Sequence, residues 1–184
     1  MTKKIIFLII AILVFGAGGF FWWQDQKDVR ELNKGLPEGV RVVKSLFGKE
    51  YKVVNKIDGY EVKVPKAWEG LKEVKYSPEE EVKALSIQGI PENLENYIAI
   101  AYYKLADPNI TLDSWIEEWT QKFEEFVWER ENLKVGNFPV IKLVEKEHLG
   151  GFTSSYFFKK NSKIYEVGGA SEDFIRYIIL NGKW

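Results

Sequence analysis

Cysteine is absent from this chain, and that closes several routes at once. A disulfide framework, a thiol nucleophile and a thiolate metal site are all excluded. So is a lipidated bacterial lipoprotein, whose lipid needs a cysteine. Histidine occurs once, at His148, so Ser-His or Cys-His catalysis has at most one base. No serine stands in a G-x-S-x-G context. An excess of one charge is also missing, with 26 basic residues against 27 acidic ones. No basic stripe with interleaved aromatics occurs, which leaves nucleic-acid binding without its electrostatic basis. There is no internal repeat and no low-complexity segment.

What the sequence does have is one long apolar run. Ile5 to Trp23 carries no charge and follows Lys3 and Lys4. As a helix it would span roughly 28 Å, close to the hydrocarbon thickness of a bilayer. A signal peptide has a shorter apolar core, and a cut after Gly19 would leave Phe20, Phe21, Trp22 and Trp23 exposed at the new end. The expectation is an uncleaved signal anchor with the lipid bilayer as one partner. The basic flank places the N-terminus in the cytoplasm and the body outside it, at the cell membrane. The expected division is a cytoplasmic N-terminus over 1–4, a single-pass transmembrane helix over 5–23, a stalk over 24–38 and an extracytoplasmic domain over 39–184.

The remaining chain suffices for one ordinary core, and 46% hydrophobic with 15% aromatic residues describes a folded domain. Val40 to Phe47 fits a helix or a strand equally well. Tyr51 to Asn55 and Tyr60 to Val64 alternate around Ile57-Asp58-Gly59 and predict a hairpin, which Pro65 ends. Glu69 to Glu81 reads as loop. Ala84 to Gln88 and Tyr97 to Leu105 read as strands. Leu112, Trp115, Ile116, Trp119, Phe123, Phe126 and Val127 recur at steps of three and four and predict one helix over 111–133, capped by Thr111. Asp113 suits its first turn, and Glu118 with Lys122 an i,i+4 pair. Val140 to Glu147, Phe152 to Lys159 and Lys163 to Val167 predict three strands, followed by a closing helix from near Ser171. The fold class is α+β, a sheet covered by helices.

Some of these residues resemble a known family. Gly59-Tyr60-Glu61-Val62-Lys63-Val64-Pro65-Lys66-Ala67-Trp68 resembles the opening strand, Pro and Trp of the PsbP/Mog1-like family. Gly151-Phe152, Tyr156, Phe158, Lys159, Lys163-Ile164-Tyr165 and the last amphipathic helix are similar to its C-terminal half. The resemblance implies an α/β/α sandwich around a central antiparallel sheet and roles that share only protein binding. It carries over no functional residue.

Catalytic candidates are few. Glu145 and Glu147 would share one face of a strand and His148 the other, which spoils a shared metal site. Glu79-Glu80-Glu81, Glu117-Glu118 and Glu124-Glu125 are adjacent carboxylates on solvent-facing stretches, without the single cleft that glycosidase chemistry needs. Gly168-Gly169 precedes a helix start, where phosphate can bind, but Glu172 and Asp173 would repel an anion there. Trp115 and Trp119 fall on the apolar helix face and read as core. Trp68 and Trp128 remain as weak ligand-binding candidates. No catalytic, metal or cofactor-binding residue stands out, and no cofactor is implied. The expectation is a protein-binding or accessory module without catalysis, its partner another envelope or membrane protein. The alternative is a small-ligand or glycan-binding envelope domain, and after it a hydrolase.

Overall fold

Hairpins account for most of the architecture. A computed structural model describes residues 19, 23, 26–45, 50–79, 82–92, 96–124, 126–146, 154–169 and 171–184. Helix α1 (26–32) leads into β1 (Val40–Lys44), β2 (Tyr51–Asn55) and β3 (Tyr60–Lys63), a three-stranded antiparallel meander. The hairpin between β2 and β3 forms where the alternation predicted it, with Gly59 at φ 80° in its turn. Val40–Lys44 is a strand, so the open choice over 40–44 resolves toward β.

A second meander, β4 (Gly70–Pro78), β5 (Lys83–Ile90) and β6 (Tyr97–Lys104), ends at helix α2 (Leu112–Gln121). The chain then crosses to the far side of the sheet. There β7 (Trp128–Val135), β8 (Phe138–Glu145), β9 (Ser154–Lys160) and β10 (Lys163–Gly169) run back as a third meander. β10 pairs with β6, closing a seven-stranded antiparallel sheet in the order β4-β5-β6-β10-β9-β8-β7. Helix α3 (Glu172–Asn181) follows, starting near Ser171 as expected, and Ser171 caps it.

The expected α/β/α sandwich is corrected. The molecule is mostly β, with two antiparallel sheets, and only one face of the large sheet carries a helix alone. The other face is packed by α3 together with the small sheet. Two further expectations give way. Residues 70–78 are not loop but an edge strand, whose bulge between Leu71 and Glu73 breaks the alternation that would have shown it. The helix predicted over 111–133 stops at Gln121. Gly136 at φ 61°, in the first central position of a two-residue turn, makes Trp128–Val135 the first strand of a hairpin instead. Among the described residues, no helix is long and apolar enough to cross a membrane, so the expected transmembrane helix is not part of the described fold. The run 5–23 lies outside the described residues except for Gly19 and Trp23.

The face toward α3 is sealed by aromatic packing. Alternation along β6, β9 and β10 sends Tyr102, Phe158 and Tyr165 to that side. Phe158 and Tyr165 stack with centroids 5.3 Å apart, and Trp184 lies 4.9 Å from each. Lys183 bridges to Glu61 through both backbone groups, so the C-terminal residues extend the small sheet. Ile175, Ile178 and Ile179 of α3 complete the layer. At the β2–β3 turn the Asp58 side chain, 1% exposed, is gripped from several sides. Asn55 Nδ2 donates to its Oδ2 at 2.7 Å and Tyr76 Oη at 2.9 Å, while Lys83 Nζ lies 3.4 Å from Oδ1. Lys163 donates to its carbonyl. A buried carboxylate is tolerated only when partnered in this way, and this one fastens the small sheet to the large one. α1 is fastened too. Asn33 donates from Nδ2 to Val42 O at 3.0 Å and accepts from Val42 N at 2.7 Å, filling one backbone position on the β1 edge.

Candidate functional site

The other face of the large sheet is built differently, starting from α2. Thr111 Oγ1 accepts from Ser114 N at 3.1 Å, the expected N-cap, and Asp113 takes an ion pair from Arg130 of β7. Helical spacing points Leu112 and Ile116 straight down, where they bury against Ile141, Leu143, Phe157 and Ile164. Trp115 and Trp119 lean to the side and stay half-buried. At the last turn Thr120 Oγ1 donates back to Ile116 O at 3.0 Å, competing with the backbone ladder, and the helix ends one residue later.

That early end exposes an aromatic array. Trp115 lies 4.9 Å from Tyr103 and 6.4 Å from Trp119, ring centroid to centroid. Trp119 meets Phe123 at 4.7 Å and Trp128 at 5.6 Å, and Trp128 meets Phe126 at 5.8 Å. Phe126 and the neighbouring Val127 are exposed by 38% and 49%. The array thus joins six aromatic rings, Tyr103, Trp115, Trp119, Phe123, Phe126 and Trp128, with Val127 beside them. Beside them opens a cavity of about 420 Å³, lined by Val82, Tyr103, Lys104, Trp115, Trp119, Lys122 and Phe123. Among the described residues neither Lys104 nor Lys122 takes part in an ion pair, although Lys34, Lys52, Lys66, Lys72, Lys75, Lys83, Lys142, Lys146 and Lys183 do. The expected Glu118–Lys122 pair is not among those formed.

Past Tyr103 the sheet floor lies open to solvent. Ala84, Ser86, Ala99 and Ala101 sit on inner strands yet remain partly exposed, because α2 packs on β8, β9 and β10 and meets β6 at Tyr103. Glu166 stands on this floor, accepting from Tyr103 Oη and Ser155 Oγ at 2.7 Å each. Burial, and then the Glu166 charge, push the Tyr103 hydroxyl far above the usual tyrosine range, so it is a fixed donor. A larger cavity, about 620 Å³, lies at the opposite end of α2. Its charged groups are already committed: Asp113 to Arg130, and Lys159 to the carbonyls of Pro108 and Ile110. The smaller cavity is therefore the better candidate site.

The sequence candidates divide. Trp68 is 5% exposed, its ring against Gly89 and edge-on to Phe174 at 5.8 Å, so it belongs to the core. Trp128 belongs to the aromatic array, its Nε1 buried without a hydrogen-bond partner. Trp115 and Trp119, read as core, instead wall the cavity. His148, Glu147, Glu80, Glu81 and Glu125 lie outside the described residues, and Glu117, Glu118 and Glu124 are solvent-exposed. Gly168 and Gly169 are buried, and a Cβ on Gly169 would stand 2.6 Å from Tyr97 O, so close strand packing accounts for that glycine. Among the described residues no three His, Cys, Asp or Glu side chains gather in a way that could hold a metal. One signal could have marked the site: β5 and β6 alternate large apolar residues with Ala and Ser rather than with charge.

No family model, curated protein or solved structure is similar to this chain. The site is therefore read from its own geometry.

Proposed function

We propose that the chain is a membrane-tethered, extracytoplasmic protein-binding module without catalysis of its own, docking its partner on the aromatic surface at the end of α2 and the start of β7. The observation that carries the reading is the exposed group Phe126 and Val127 joined to the half-buried Trp119, Phe123 and Trp128. Tryptophan and other large aromatics dominate interface energetics because they bury much area for little lost rotamer freedom. A connected apolar patch on a monomer's surface marks an interaction site more often than a scattered single residue does. The tether rests on the charge-free run 5–23 behind Lys3 and Lys4, with the partner another envelope or membrane protein. Kinship with the PsbP/Mog1-like family stays a proposal resting on Gly59–Trp68 and the Tyr156–Tyr165 region.

Chemical cross-linking of the tagged protein in its native membrane, read by mass spectrometry, tests this. One dominant partner, attached through residues of α2 or β7, is the expected result. Self-cross-links alone would contradict it. A second reading, a small-ligand or glycan site, draws on the cavity, whose volume lies within the range of small-molecule sites. It predicts a saturable change in tryptophan fluorescence with envelope glycans, and a flat titration would remove it.

A further inference from the structure

We propose that the cavity beside α2 receives an acidic, apolar segment of the partner protein, a carboxylate lying between Lys104 and Lys122 and an apolar side chain against Trp115 and Phe123. The inference rests on the docking surface proposed above and names the chemistry of what docks.

Three observations lead to it. Among the described residues the cavity combines aromatic walls with two cations and no lining carboxylate. Neither lysine takes part in an ion pair among the described residues, although carboxylates elsewhere on the surface hold Lys66, Lys75 and Lys142. Lys122 stands just past the end of α2, where a cation complements the helix carbonyls on its own account. Lys104, on β6, has no such end to complement. An anion drawn between them would be partly desolvated by Trp115, Trp119 and Phe123, which strengthens its attraction to both lysines.

The cavity is also continuous with a larger surface. Trp119 joins its wall to Trp128, and Trp128 joins Phe126 outside it. A free small molecule would fill the cavity and leave Phe126 and Val127 uncovered, whereas a peptide segment runs over both. The exposed acidic residues of α2, Glu117 and Glu118, face solvent and do not line the cavity. They disfavour a second acidic stretch on the outer side of the helix, which fixes the side on which the segment lies.

The test uses the full chain in detergent and the capped peptide acetyl-EFEFEF-amide, followed by tryptophan fluorescence. The expected result is a saturable change that weakens about tenfold or more when glutamine replaces glutamate in the peptide, and likewise in the K104Q/K122Q double variant. Raised salt should weaken the acidic peptide alone. Both lysines are exposed, so the variant should melt as the wild type does. Equal binding of the two peptides, unchanged binding by the double variant, or no saturable change would each overturn the proposal. In native membranes a dominant cross-linked partner that survives K104Q/K122Q undiminished overturns it while the docking surface stands. Acidic-peptide binding by a wild type that cross-links no partner does the reverse.

Discussion

The two faces of the large sheet are made by the same strands and finished in opposite ways. Toward α3, residues at alternate positions are large and meet a full second layer, so Tyr156, Phe158 and Tyr165 are at most 1% exposed. Toward α2, the residues between them include Phe157 and Ile164 under the helix but Ala101 and Glu166 beyond it. One face ends in a core and the other in a partly open floor with an aromatic rim. The difference teaches where stability and function separate. Substitutions on the sealed face should unfold the protein, and those on the open face should leave it folded but unable to bind.

The comparison breaks most visibly at Phe158. Replacing it with alanine empties the centre of the stack with Tyr165 and Trp184 and should cost about 3–5 kcal/mol in urea unfolding. A loss below about 1 kcal/mol would mean that the sealed face is not the main core. Asp58→Ala comes next, at about 2–3 kcal/mol, because it strands Asn55, Tyr76 and Lys83 in or near the interior. Gly89→Ala should follow with about 1–3 kcal/mol, since its Cβ would stand 2.5 Å from the Trp68 ring.

A smaller effect is expected from pH. The lysine at 142 first, and then Arg176, hold the Glu172 carboxyl down to about 2. Its folded pKa lies below the ordinary glutamate value of about 4.5, so its contribution is present above about pH 4.5 and is lost as pH falls toward 2. In Glu172→Gln the fall in melting temperature across that window should be shallower than in wild type, and an identical slope would contradict the assignment. Smallest of all is Phe126→Ala, which should change stability by no more than about 0.5 kcal/mol because the ring is an exposed rim residue.

Much of the sealed face was legible from the residues. The β2–β3 hairpin, β5 and β6 carry alternation, β9 and β10 carry short apolar runs around the Lys160-Asn161-Ser162 turn, and the closing helix carries helical spacing from near Ser171. The failures have physical causes. β4 and β7 are the edge strands of the large sheet, and edges carry charge on both faces to deter further pairing, which erases the period of two. In β7 the run Glu129-Arg130-Glu131-Asn132 therefore looked like the polar side of the preceding helix. The separation of β1–β3 into a sheet of its own depends on non-local pairing, on which local periodicity is silent. The site was legible only in part. Helical spacing put Trp115 and Trp119 on the apolar face of α2 correctly, but whether that face is covered depends on how far the helix reaches across the sheet.

The most direct test of the central division is one cross-linking measurement on paired variants in native membranes, Phe126→Ser against wild type, with melting temperature taken on the same samples. The account predicts that the dominant partner cross-link falls several-fold while the melting temperature stays within about 2 °C. A cross-link at wild-type yield would show that the partner docks elsewhere, and the open face would lose its claim to function.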